Sequence, residues 1–127
     1  MKLFKEFVEK KEVTVLFSNL FSARDHAHKL HLATKSYAEH KALGNFYDDL
    51  LPLIDQIIET YQGQYDLVNL KTSTAKYSDD PTSFLTKFSE EIKDSRKMFE
   101  GDDHIQNIID EITSLAFQTL YKLRFLK

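Results

Sequence analysis

Four of the chain's five histidines fall within fifteen residues: His26, His28, His31 and His40. Neutral imidazole is a good ligand for iron, zinc and copper, and carboxylates join it readily. Further along, Asp55 and Glu59 are spaced i, i+4, one above the other on a single helical face. The chain has no Cys, so thiolate metal sites, thiol catalysis and disulfide scaffolds are excluded. Imidazole and carboxylate donors without sulfur make iron the first metal to consider, with zinc as a second metal for the same site. Each half of the set also has a plainer reading. His28 and His31 fit satisfied histidines at a core edge, and Asp55 and Glu59 fit a solvated acid pair. The remaining groups carry no chemistry of their own. His26 falls on the opposite side of its helix and reads as surface, and His104 reads as a loop residue. Asp48-Asp49, Asp79-Asp80 and Asp102-Asp103 read as caps or solvating acids, and Glu90-Glu91 as a polar face.

These residues need elements to hold them. Val13, Leu16, Phe17, Leu20 and Phe21 recur at i, i+3, i+4, i+7 and i+8, the stripe of an amphipathic helix from Leu3 to about Ala33. Extending the stripe lands on Arg24, Ala27, His28 and His31. Ser36-Tyr37-Ala38-Glu39 is a capping box that starts a second helix. Its stripe is Leu43, Tyr47, Leu50, Leu51, Ile54, Ile57, Ile58 and Tyr61, with Gly63 as the stop signal. Pro52 predicts a kink in it, and Gly44 weakens it by roughly 1 kcal/mol relative to Ala. Asp55 and Glu59 flank this stripe, which predicts half-buried carboxylates. Gln64 to Asp79 is a polar connector, too long for an ordinary bundle loop, and is expected to cross from one end of the molecule to the other. Asp80-Pro81 opens a third helix with the stripe Phe84, Leu85, Phe88, Ile92, Met98 and Phe99, closed by Gly101. Asp102 or Asp103 caps a fourth, whose stripe runs from Ile105 to Leu123 with Thr119 as its polar interruption.

The reading is therefore all-α: one domain, residues 1–127, forming a four-helix bundle. Two short connections and one long crossover between helices 2 and 3 describe the ferritin-like topology. With only 3 Gly and 2 Pro, a turn-rich β-sandwich is disfavoured. A net charge of −3 argues against nucleic acid as a partner, and Lys2, Lys5, Lys10 and Lys11 of the N-terminal arm are offset by Glu6, Glu9 and Glu12. No apolar run is long enough to span a membrane, and the charged N-terminus lacks a secretory h-region, so the protein is expected to be cytoplasmic. No phosphate-binding glycine loop, nucleophile elbow or His-Glu-x-x-His occurs.

The spacing of His28, His40 twelve residues later, Asp55 fifteen after that and Glu59 four further resembles the ferroxidase signature of the Dps miniferritins. The resemblance covers most of the chain, from about Val13 to Leu126. It implies a site shared between two subunits at a two-fold axis. His28 and His40 would come from one chain, Asp55 and Glu59 from the other, with His31 as an accessory ligand. It implies oxidation of Fe(II) by peroxide or dioxygen, iron storage with oxidative protection, and a homo-oligomer that is a dimer at least and a dodecamer in the full shell. A ligating imidazole must be neutral, so iron binding would weaken below about pH 6. The alternative is a catalytically inactive ferritin-like bundle acting as a structural or interaction dimer. Lys29 and Gly44, which stand where the family has Trp and an acid, point that way. A site within one bundle would rest on Asp25-x-x-His28, but Asp110 and Glu111 on the last helix are followed by no His.

Overall fold

The apolar spacing becomes four α-helices. In a computed structural model α1 spans Lys2–Ala33, α2 Tyr37–Gln64, α3 Pro81–Ser95 and α4 Asp103–Phe125, with a 3-10 turn at Arg96–Phe99 between α3 and α4. Residues 2–73 and 75–127 are described, residues 2–9 by their backbone alone. Met1, Thr74 and the side chains of Lys2, Lys5, Glu6 and Glu9, which enter the arm's charge balance, lie outside the described residues. Among the described residues there is no β-strand, and no helix is long and apolar enough to cross a membrane.

α1 packs on α2, α2 on α4, α4 on α3, and α3 more sparsely on α1. The core they enclose is aromatic at its centre. Phe17 from α1 meets Tyr61 of α2 edge-on with ring centroids 5.6 Å apart, and Phe46 of α2 meets Phe88 of α3 at 5.6 Å. Such edge-to-face pairs add to plain burial because ring edges and faces carry opposite partial charge. Buried hydroxyls within the helices spend their donors on carbonyls of the preceding turn. Thr119 donates to Leu115, and Ser95 to Ile92. That is how α4 tolerates a polar residue in its stripe.

The helix ends follow local chemistry. The Ser36 hydroxyl accepts from the Glu39 amide at 3.2 Å, as the capping box requires. The return half of the box is relayed. The Ser36 amide donates to the Thr34 hydroxyl at 3.1 Å, and that hydroxyl donates to Glu39 Oε2 at 3.2 Å. Asp80 caps α3 by accepting from the Ser83 amide and hydroxyl, with Pro81 at the first helical position. Gly101 adopts φ 91°, a left-handed turn that closes the 3-10 segment before α4. Asp102 is the N-cap of α4 through its carbonyl, which accepts from the Ile105 and Gln106 amides, but its side chain makes no capping bond; the carboxylate takes Gln64 and the Tyr65 hydroxyl instead.

Several expectations need correction. α2 does not stop at Gly63 but runs through it to Gln64, where the Tyr65 amide bonds Tyr61. Phe21, Leu51 and Met98 are exposed. Phe21 and Leu51 lie at the edges of the α1 and α2 stripes, where the helices no longer meet their neighbours. Met98 leaves the α3 stripe because the chain tightens to 3-10 geometry at Arg96, which changes the angle between successive side chains. Ala42 and Phe46 of α2 are buried in addition to the predicted stripe.

Residues 65–80, between α2 and α3, hold no described helix or strand. Several of their polar ties run to α1. Lys10 pairs with Asp66 at 3.8 Å, the Lys71 amide donates to Ser18, and the Ser73 hydroxyl donates to Asn19. His26 Nε2–H donates to the Ser78 carbonyl at 2.7 Å, and its ring rests edge-on against Phe84. His26 is therefore no surface residue; its side chain is 19% exposed. It pins the connector's end to α1.

Candidate metal centre

The turn between α1 and α2 brings three of the histidines together. His31 on the last turn of α1 and His40 on the first turn of α2 are bonded reciprocally. His31 Nδ1 meets the His40 carbonyl at 2.6 Å, and His40 Nδ1 meets the His31 carbonyl at 2.8 Å. A carbonyl only accepts, so each Nδ1 carries a proton, and in the neutral ring Nε2 carries the lone pair. Ligating histidines are oriented in this way in metal sites, by a hydrogen bond from the ring nitrogen that does not bind. The two rings stack with centroids 3.7 Å apart. His28, one turn earlier on α1, lies 6.2 Å from His31 and stacks on Tyr47 of α2 at 4.2 Å.

Gly44 explains how the rings fit. A Cβ built on it would lie 2.9 Å from His31 Cε1 and 3.0 Å from Nδ1. The imidazole of His31 thus occupies the space that any side chain at position 44 would need. Glycine here is a packing requirement of the histidine pair, not merely a weak point in the helix.

Two residues not singled out for this centre from the sequence complete it. Tyr47 is the platform beneath His28, and the Arg24 guanidinium lies 5.5 Å from the Tyr47 ring centroid. Arg24 Nε is buried and has no hydrogen-bond partner among the described residues. The only available signal for both was position. Arg24 is one turn before His28, and Tyr47 is seven residues after His40, on the same side of α2.

Asp55 and Glu59 stand apart. They lie 15 and 19 residues beyond His40 on α2, and both are exposed. The expectation of half-burial fails for the single chain. Core contact on α2 centres on Leu43, Leu50, Ile54 and Ile57, and both acids sit a third of a turn or more round the helix from that line. Asp25 pairs with Lys29 at 3.0 Å on the exposed side of α1, so Asp25-x-x-His28 does not converge. Lys29 is committed to that pair. His104, in the first turn of α4, bonds Gln64 at 2.6 Å. Among the described residues no three His, Asp or Glu side chains of one chain converge to hold a metal.

The class defined so far is an all-α four-helix bundle with a histidine cluster at one end of its α1–α2 hairpin. The chain belongs to the family of unknown function DUF5856, whose model matches residues 31–123. The matched stretch includes His31, His40, Gly44, Asp55 and Glu59 and begins after Arg24 and His28. It is also similar to the "Uncharacterized 14.6 kDa protein in mobD-ri intergenic region" of Enterobacteria phage T4. The two are 33% identical over 105 residues, 82% of this chain and 81% of the relative. No solved structure matches the chain.

Proposed function

We propose that the protein is a Dps-like miniferritin that binds and oxidises Fe(II) at a site shared between two copies. The observation that carries this reading is the reciprocal bonding of His31 and His40. It fixes both rings as Nδ1–H tautomers and leaves Nε2 lone pairs for a metal. Asp55 and Glu59, exposed on the same helix, supply the carboxylates from the other chain, so no single chain needs to assemble the whole set. His31, in the space vacated at position 44, supplies a donor where the resembled family has an acid.

Helix order supports a ferritin-like bundle. α1 neighbours α2 and α3, and α4 neighbours the same two, so α2 and α3 stand diagonally. The connector between them has ties to α1 from Lys10 to His26, about 24 Å of helix at 1.5 Å per residue. A chain joining diagonal helices along a third is a long crossover.

Fe(II) is the substrate. The imidazoles are neutral donors and the carboxylates offset the charge that grows on oxidation. Two Fe(II) ions give one electron each to one hydrogen peroxide. Its O–O bond breaks, two protons are taken up and two waters form. Dioxygen would take the electrons of four Fe(II). Storage of the ferric product requires a closed shell of such dimers.

Mixing two inactive chains tests the shared site. A His28→Ala/His40→Ala chain and an Asp55→Ala/Glu59→Ala chain should each fail to oxidise Fe(II). Refolded together, half of random pairs are mixed, and each mixed pair holds one intact site. About a quarter of wild-type activity should return. No recovery would remove the shared site, and wild-type inactivity would favour the purely structural dimer.

A further inference from the structure

α3 touches α1 only sparsely, and a groove of about 660 Å³ opens between them. Its floor holds the buried Leu20, Phe88 and Ile92, and Val15 and Met98 stand at its mouth, 51% and 38% exposed. Apolar side chains gathered round one concavity mark a place where something binds. The volume lies within the range of small-molecule pockets, about 300–1,000 Å³.

One charge in the groove is left over. Lys11 and Lys97 on its lining are matched in number by Glu12 and Asp94, which leaves the Glu91 carboxylate. That carboxylate is poorly served. Among the described residues no hydrogen bond reaches it, and its ion pair with Lys87 is long, at 3.8 Å. Lys87 is also drawn elsewhere. Its ammonium donates to the Lys76 carbonyl at 3.5 Å and lies 5.9 Å from the Tyr77 ring centroid. Burial, and then the charge of Glu91, raise the pKa of the Tyr77 hydroxyl, so the acid and the phenol lie within electrostatic reach of each other. Yet that hydroxyl donates to the Asn19 carbonyl. Burial in turn raises the Glu91 carboxyl above its ordinary value of 4.5, against the pull of Lys87. A carboxylate that has lost part of its water without gaining donors is stabilised by a cation that brings its own N–H groups.

We propose that this groove binds an amphipathic amine, its ammonium donating to Glu91 and its apolar body lying on Leu20, Phe88 and Ile92 between Val15 and Met98. A neutral ligand of the same shape leaves the carboxylate unpaired, and an anionic one is repelled by it. The site uses none of the histidines and neither Asp55 nor Glu59, so it goes beyond the iron reading and stands or falls independently of it.

The chain has no Trp, so the fluorescence anisotropy of an indole ligand reports its binding directly as the full chain is titrated in. The probes are tryptamine, tryptophol and indole-3-propionate, which share a ring and differ in the charge of the tail. Tryptamine should bind about tenfold or more tightly than either of the others. Glu91→Gln should bring tryptamine to the level of tryptophol and leave tryptophol unchanged, which general damage to the groove would not do. Val15→Phe, at an exposed position, should weaken tryptamine and tryptophol alike by filling the mouth. Circular dichroism melts confirm folding of each variant. Absence of tryptamine binding, equal binding of the three probes or a preference for indole-3-propionate would overturn the proposal. So would a preference for tryptamine that survives Glu91→Gln.

Discussion

At the scale of residues, the site is a negotiation over space between Gly44 and His31. A glycine inside a helix costs about 1 kcal/mol relative to Ala, so one retained here has a compensating use. Its use is room for the imidazole, whose Nδ1 holds the His40 carbonyl. Gly44→Ala should therefore leave thermal stability nearly unchanged. The helix gains roughly what the lost hydrogen bond gave, about 1 kcal/mol each way. The ring should nonetheless leave its place, which the nitrogen chemical shifts of His31 would register, and Fe(II) oxidation should fall. Unchanged shifts would mean that α1 and α2 part to admit the methyl. The spacing of His28, His40, Asp55 and Glu59 was legible in the sequence because it is a pattern along the chain. The exchange of a side chain at 44 for the ring at 31 was not, because it is a contact across two helices.

At the scale of elements, α3 depends on its cap and on the connector that delivers it. The Ser83 amide, then its hydroxyl, donate to Asp80 and hold its carboxyl below the ordinary value of 3.8. A group with a depressed folded pKa contributes stability above its unfolded value and loses it as the pH falls through the folded one. Asp80→Ala should then cost about 1 kcal/mol at neutral pH. The gap between variant and wild type should close as the pH drops below 3.8, as urea melts at several pH values would register. Glu91 works in the opposite direction, since burial raises its pKa despite Lys87 nearby; protonating it relieves a cost in the fold. The second element-scale dependence is His26, which joins α1 to Ser78 and Phe84. His26→Ala should loosen the connector, so trypsin should cut at Lys71 or Lys76 faster than in the wild type. Equal cutting rates would show that Ser18 and Asn19 hold the connector without it. Helix existence was readable because burial imposes a 3.6-residue period. His26 was misread because its partners lie more than fifty residues away, and Met98 because a change of helix type is invisible to a fixed period.

At the scale of the whole molecule, the histidines and the acids can only meet between chains. At 1.5 Å per residue, Asp55 and Glu59 lie about 22 and 28 Å along α2 from His40, and the helix runs continuously through Pro52 between them. No bending of a loop shortens that span within one chain. The shared site proposed above requires light scattering behind a sizing column to return at least twice the mass of the chain, and a mass of twelve chains would mark a closed shell able to hold mineral. A dimer that goes no further would still carry two sites but nothing to store iron in, and would match a reduced relative of the storage proteins. A strict monomer at high concentration would leave the imidazoles without their acids, and the shared iron site would fall while the four-helix bundle, which rests on its own core, would stand.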